Sequence, residues 1–150
     1  MSATDSGRLP PFIALAVEVR LTLSVPLMSA SGECGFPSPA DDYLQGTLDF
    51  NELLITNQPA TFIIRVSGDS MTGIGLFPGD IAVVNKAKTA VDRSIVVALL
   101  HGEFTIKRFR RRGGRVWLHP ENPAYPDIEI TEGMDFEVWG VIKHTIRVLT

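Results

Sequence analysis

Ser94-Ile95-Val96-Val97-Ala98-Leu99-Leu100-His101-Gly102-Glu103-Phe104-Thr105-Ile106-Lys107-Arg108-Phe109-Arg110 is the stretch whose reading decides the fold. Residues 94–100 form a short apolar run of strand type, His101-Gly102 turns the chain, and residues 103–110 read as a second strand. Gly113-Gly114 marks a hairpin tip. Residues 116–118 return from it into a proline-rich loop that runs to Pro126. On the other side, residues 62–66 and 81–84 read as strands, separated by the polar corner Ser67-Gly68-Asp69-Ser70-Met71 and the turn Leu76-Phe77-Pro78-Gly79-Asp80. Residues 128–130 and 137–148 finish the chain as strands. Seven short, closely spaced strands from Thr61 onward predict a compact, mostly β domain, a twisted sandwich or barrel.

The first sixty residues read differently. Val17, Val19, Leu21, Leu23 and Val25 alternate with polar residues, the pattern of a half-buried strand, which Pro26 is expected to stop. Residues 27–38, rich in Ser, Gly and Pro, read as an extended, accessible linker. Residues 40–54 are the best helix candidate, with Asn51 opening a final short turn. Arg8 followed by Pro10-Pro11-Phe12-Ile13-Ala14-Leu15-Ala16-Val17 imitates a signal peptide, but Glu18 and Arg20 interrupt the apolar run. A lipid-anchored Cys34 is disfavoured because Glu33 stands where a small residue is needed. No stretch reaches the length of a membrane span, so the expected location is the cytoplasm.

Composition narrows the function classes. A chain of 150 residues with 45% apolar and 21% charged residues is ordinary globular material, enough for one domain. One cysteine makes neither an internal disulfide nor a thiolate zinc site, so no structural metal is expected. Fourteen basic against seventeen acidic residues give a net charge of −3, which excludes a global field for nucleic acid. Six of the basic groups nevertheless crowd into residues 107–115: Lys107, Arg108, Arg110, Arg111, Arg112 and Arg115.

Two residues attract a chemical reading. Ser70 sits in a corner of small residues that lets a substrate backbone approach and backbone N–H groups face an oxyanion. Its commoner use would be to cap the next turn. A nucleophilic serine needs a base, and spacing gives none of His101, His119 or His144 an acidic partner. Lys107 lies in a strand whose neighbours can exclude water, and a lysine becomes a base when desolvation lowers its pKa. It can equally be the solvated start of the basic run. Cys34-Gly35, in an accessible linker, is a peptide bond open to cleavage.

Taken together, Cys34-Gly35-Phe36-Pro37-Ser38-Pro39-Ala40, Asp42-Tyr43, Ser67-Gly68-Asp69-Ser70-Met71, Gly79-Asp80 and Gly102-Glu103-Phe104-Thr105-Ile106-Lys107 resemble the LexA/UmuD family of self-cleaving Ser–Lys serine peptidases. The similarity runs from about residue 26 to 148, and the Cys34–Ala40 run points to the UmuD branch. The resemblance implies a LexA-type C-terminal peptidase domain over residues 35–150, with an extended N-terminal arm, residues 1–34, removed by self-cleavage. It implies Ser70 as nucleophile, Lys107 as general base, the Ser70 and Met71 N–H groups as oxyanion hole, and Cys34-Gly35 as scissile bond. It further implies no cofactor, stimulation by the RecA filament on single-stranded DNA, and a homodimer. The processed form would join a UmuC-like Y-family polymerase subunit for translesion synthesis in the SOS response.

Residues 1–12 fall outside the resemblance, and Arg110, Arg111, Arg112 and Arg115 form a more basic hairpin than the family leads one to expect. Contact of that hairpin with DNA or an acidic partner stays open beside a solvated tip. The rival readings are a non-enzymatic DNA- or protein-binding β domain that uses residues 107–115, and a truncated LexA-like repressor. The repressor is disfavoured because 34 residues with Pro10, Pro11 and Pro26 leave no room for a helix-turn-helix. A type I signal peptidase relative shares the dyad but needs a membrane anchor, which this sequence lacks.

Overall fold

The computed structural model of the chain describes residues 14–16, 24–28, 44–55 and 58–150. Its main body is an eight-stranded antiparallel sheet in the order β1-β4-β5-β10-β6-β7-β8-β9. The strands are β1 (Ala14–Ala16), β4 (Thr61–Arg65), β5 (Ile81–Asn85), β6 (Ile95–Leu100), β7 (Glu103–Arg112), β8 (Arg115–His119), β9 (Ile128–Ile130) and β10 (Phe136–Ile146). β2 (Ser24–Met28) and β3 (Leu44–Asp49) form a separate antiparallel pair, and α1 (Phe50–Leu54) follows β3 directly. The mostly β class and all seven strands after Thr61 agree with the sequence, to within two residues at their ends.

β10 holds the sheet together, pairing with β5 on one side and β6 on the other. Register shifts at Val138/Gly140 and Ile142/His144 bend it, as an extra residue in one strand must. The bent sheet carries apolar side chains in two clusters. Ile64, Val66, Met71, Leu76, Val97, Phe104, Ile106 and Trp139 belong to the first, with Trp139 between the rings of Phe62 and Phe104. Val96, Ala98, Phe109, Leu118 and Val141 belong to the second. The first cluster underlies the Ser67–Met71 corner, because Met71 (2% exposed) is one of its members.

Four expectations for the N-terminal region need correction. Of the helix expected over residues 40–54, Leu44–Asp49 form a strand and Phe50–Leu54 are helical, and residues 40–43 lie outside the described residues. Gly46 and Thr47 are poor helix formers, and the strand gives their backbone groups partners in β2. The Asp49 carboxylate then accepts from the Asn51 N–H at 2.9 Å, so Asp49 rather than Asn51 opens the helix. Pro26 does not stop a strand but lies inside β2, opposite Thr47. Among the described residues β2 pairs with β3 alone, so an edge is available for a residue without an N–H. Leu27 and Met28, assigned to the linker from sequence, also belong to β2. Most of the alternating run, residues 17–23, and the remainder of the linker, 29–38, lie outside the described residues.

Candidate active site

Ser70 is placed by the turn that follows β4. Val66 N–H donates to Asp80 O at 2.8 Å and Gly79 N–H returns a bond to Val66 O at 2.9 Å, pinning the strand end against the Phe77–Asp80 turn. Gly68 then takes φ = +82°, a conformation open to glycine at little cost, and the chain reverses into Asp69 and Ser70. A 3-10 turn at Thr72–Ile74 follows. Among the described residues the N–H groups of Ser70 and Met71 donate to no carbonyl, which leaves both free to face an anion.

Lys107 reaches this corner from β7, where it pairs with Val96 of β6. The residue is 9% exposed, and that burial lowers its pKa. Nζ lies 3.0 Å from Ser70 Oγ, 2.7 Å from Thr105 Oγ1 and 3.2 Å from Ile106 O. No carboxylate pairs with it among the described residues. A neutral amine has two N–H donors and one lone pair. Thr105 and Ile106 provide two acceptors, leaving the lone pair for the Ser70 hydroxyl. An ammonium donates to all three oxygens; after losing one proton the amine can still donate to Thr105 and Ile106 and turn its lone pair to the Ser70 hydroxyl. The cleft beside them is small, about 70 Å³, with Ser67, Gly68, Ser70, Phe104 and Thr105 in its wall and no histidine.

A second layer fixes the corner from outside. The loop after β8 delivers Glu121 O to the Gly73 N–H at 2.7 Å and the Asn122 amide to Asp69 O at 2.9 Å. Glu121 N–H points at Met71 Sδ, 3.4 Å away, and the Tyr125 hydroxyl donates to the Asp69 carboxylate, which raises the tyrosine pKa. Glu121 is in turn ion-paired with Arg108, the neighbour of Lys107. Below, Arg147 clasps Asp80 through Nε (2.8 Å) and a second guanidinium nitrogen (2.7 Å). Its hydrogen bonds hold the Asp80 pKa at about 2 against an ordinary 3.8. Sequence reasoning missed this layer. Apart from Arg108 and Glu121, 13 residues apart, its partners are separated by about fifty to sixty-seven residues and share no local pattern.

The other candidates are dispersed. Cys34 and Gly35 lie outside the described residues, in the connection between the paired strands β2 and β3. His101 sits in the β6–β7 turn, and His119, at the end of β8, is 2.5 Å from Asp127 and 3.9 Å from Glu121 of the same loop, away from Ser70 Oγ and Lys107. Arg110 pairs with Asp92 at 3.1 Å and Arg115 with Glu129 at 2.9 Å, so part of the basic hairpin is neutralised within the chain. Arg111 lies over the Phe109 ring, and Arg112 faces Arg115 across the hairpin tip. Among the described residues no helix is long and apolar enough to cross a membrane.

The chain is similar to known proteins over most of its length. Residues 26–143 match the family model described as Peptidase S24-like. The chain is 42% identical over 124 residues to Protein SamA of Salmonella typhimurium, covering 83% of this chain and 86% of that protein. It is 39% identical over 124 residues to Protein MucA of Escherichia coli, covering 82% and 84%. A LexA repressor from Syntrophotalea carbinolica shares 46% identity over 86 residues, 57% of this chain and 43% of the repressor.

Proposed function

Because the chain belongs to the Peptidase S24-like family, we propose that it is a self-cleaving serine peptidase of the SOS response, of the UmuD branch, which cuts its own Cys34–Gly35 bond. The single observation that carries this reading is the 3.0 Å approach of Lys107 Nζ to Ser70 Oγ, with the other two amine contacts already taken by Thr105 and Ile106.

The chemistry follows from that arrangement. Neutral Lys107 takes the proton of Ser70 as the oxygen attacks the Cys34 carbonyl carbon. The Ser70 and Met71 N–H groups receive the developing oxyanion. Lys107 returns the proton to the departing Gly35 nitrogen, leaving an ester between Ser70 and Cys34 that water then hydrolyses. Substrate and enzyme share one chain, so binding energy is not needed to recruit the bond. Control falls on whether the connection between β2 and β3 enters the small cleft. A RecA filament on single-stranded DNA is the activator this reading assigns, by favouring the entered state.

The processed form, residues 35–150, then acts as a homodimer and accessory subunit of a UmuC-like error-prone polymerase. Loss of residues 1–34 removes β1 from the sheet edge at β4, together with β2. Residues 1–34 carry two basic and three acidic groups, so their loss hardly changes the charge and exposure rather than electrostatics drives the exchange of partners. The test compares the full chain carrying Ser70→Ala with processed protein in polymerase binding and lesion bypass, with and without RecA filaments. Processed protein should bind and support bypass, and the uncleavable chain should not. Equal binding and equal bypass would refute the polymerase role.

A further inference from the structure

The basic run does not act as one patch. Lys107 turns inward to Ser70, while Arg108, Arg110 and Arg115 are paired with Glu121, Asp92 and Glu129. Arg111 is different. Its guanidinium carbon lies 5.2 Å from the centre of the Phe109 ring and is in no ion pair among the described residues, while its backbone N–H donates to the Asp92 carboxylate at 2.8 Å. It stands beside a groove of about 310 Å³ whose wall includes Phe109, Val116, Phe136, Val138 and, as a second cation, Lys88. Lys88 also borders a smaller cavity, about 120 Å³, with Lys143 and His144 in its wall. The hydrogen-bonding approach of Lys143 depresses the Lys88 pKa, because one amine must give up a proton to accept from the other. Neither lysine has an acidic partner among the described residues. In a chain with net charge −3, two basic side chains outside any ion pair among the described residues, Arg111 and Lys88, border one half-buried apolar groove, and Lys143 lies in the cavity next to it.

We propose that this groove, bounded by Arg111 and Lys88 with Lys143 behind, is a docking site for an acidic peptide segment of a partner protein that carries apolar side chains. The apolar wall decides between anionic partners. Phe109 is 3% exposed and already covered by Arg111, which leaves Phe136, itself partly buried, as the one other ring in the wall and no run of exposed rings for successive bases. A phosphodiester backbone also gains nothing by lying over valine and phenylalanine. A segment that alternates glutamate with leucine or phenylalanine satisfies both features, its carboxylates meeting the cations and its apolar side chains entering the groove. The proposal goes beyond the peptidase reading and does not depend on it.

The test uses the full chain with Ser70→Ala, labelled for amide NMR, and a synthetic peptide alternating glutamate with leucine and phenylalanine. Saturable shifts should fall on Ala90, Phe109, Val116, Phe136 and Val138. Lys88→Glu or Arg111→Glu should weaken binding by about tenfold or more, and the same peptide with lysine for glutamate should not bind. Should Arg111→Glu disturb the spectrum of the free protein, Lys88→Glu, at an exposed position, decides alone. Absent saturation, shifts elsewhere, or undiminished affinity in Lys88→Glu would overturn the proposal. So would tighter binding of oligothymidylate than of peptide at the same residues, which would make the groove a nucleic-acid site. Cleavage is not read in this experiment, so its outcome is separate from that of the proposed function.

Discussion

Gly73→Ala tests whether the loop after β8 holds the nucleophile in place. A Cβ at position 73 would lie 2.4 Å from the Glu121 carbonyl oxygen and 3.2 Å from its carbon, where ordinary contact begins at 3.4 Å. Both obstacles are backbone, so no side chain can swing away. The Thr72–Ile74 turn and residues 121–122 must separate by about 1 Å, stretching or breaking the Gly73–Glu121 hydrogen bond. Overpacking of this kind costs about 1–3 kcal/mol, and the hydrogen bond about 1 kcal/mol more. Ser70 lies three residues before the displaced glycine, and a reacting atom misplaced by about 1 Å can lose roughly 10²-fold in rate. The assay is fragment formation by the full chain at raised pH, with urea midpoints measured in parallel. Gly133→Ala is the control, because Gly133 has φ = +88° in a remote turn with open space around it. It should lose about 1 kcal/mol of stability and cleave normally. Gly73→Ala that loses stability but cleaves at the wild-type rate would refute the coupling between this loop and Ser70.

Three further outcomes follow from the same geometry. Lys107→Met keeps the apolar stem and removes the buried charge, so it should abolish cleavage and leave a protein at least as stable as wild type at neutral pH. A large drop in its urea midpoint would mean that the ammonium is a structural charge. Because burial lowers the Lys107 pKa, wild-type stability should fall as pH drops from about 10.5 toward the folded value and then level off, while cleavage should accelerate as pH rises through that value; a flat pH–rate profile would count against Lys107 as base. Asp80, with its pKa lowered to about 2 by Arg147, has the opposite sign. Its contribution is complete above about pH 4 and is lost as pH falls through about 2. Screening at the 40% exposed Arg147 side chain holds it to about 1–2 kcal/mol. Arg147→Met should therefore flatten the acid limb of stability measured by urea titration between pH 5 and pH 2, and an unchanged limb would refute the assignment.

What the sequence made legible depended on distance along the chain. Strands after Thr61 are announced by short apolar runs with Gly, Pro and Asp at the turns, and these signals act over neighbouring residues. Leu44, Leu48 and Leu53-Leu54 imitate helical spacing, but pairing with β2, about twenty residues earlier, outweighs that local preference. Ser70 and Lys107 were weak candidates from their own neighbourhoods and became strong ones only through a motif resemblance. Their contact across thirty-seven residues is a product of tertiary structure. The partners of the arginines were illegible for the same reason. Asp92, Glu121 and Glu129 meet Arg110, Arg108 and Arg115 across strands and loops, so a run that reads as a cationic block is largely neutralised.

The most direct measurement is the intact mass and N-terminal sequence of the products when purified full-length chain is held at raised pH without any other protein, beside Ser70→Ala. Self-cleavage by the Ser70–Lys107 pair requires a fragment that begins at Gly35 and ends at Thr150 in the wild type, and no such fragment in Ser70→Ala. A fragment that begins elsewhere, or the same fragment from Ser70→Ala, would contradict it.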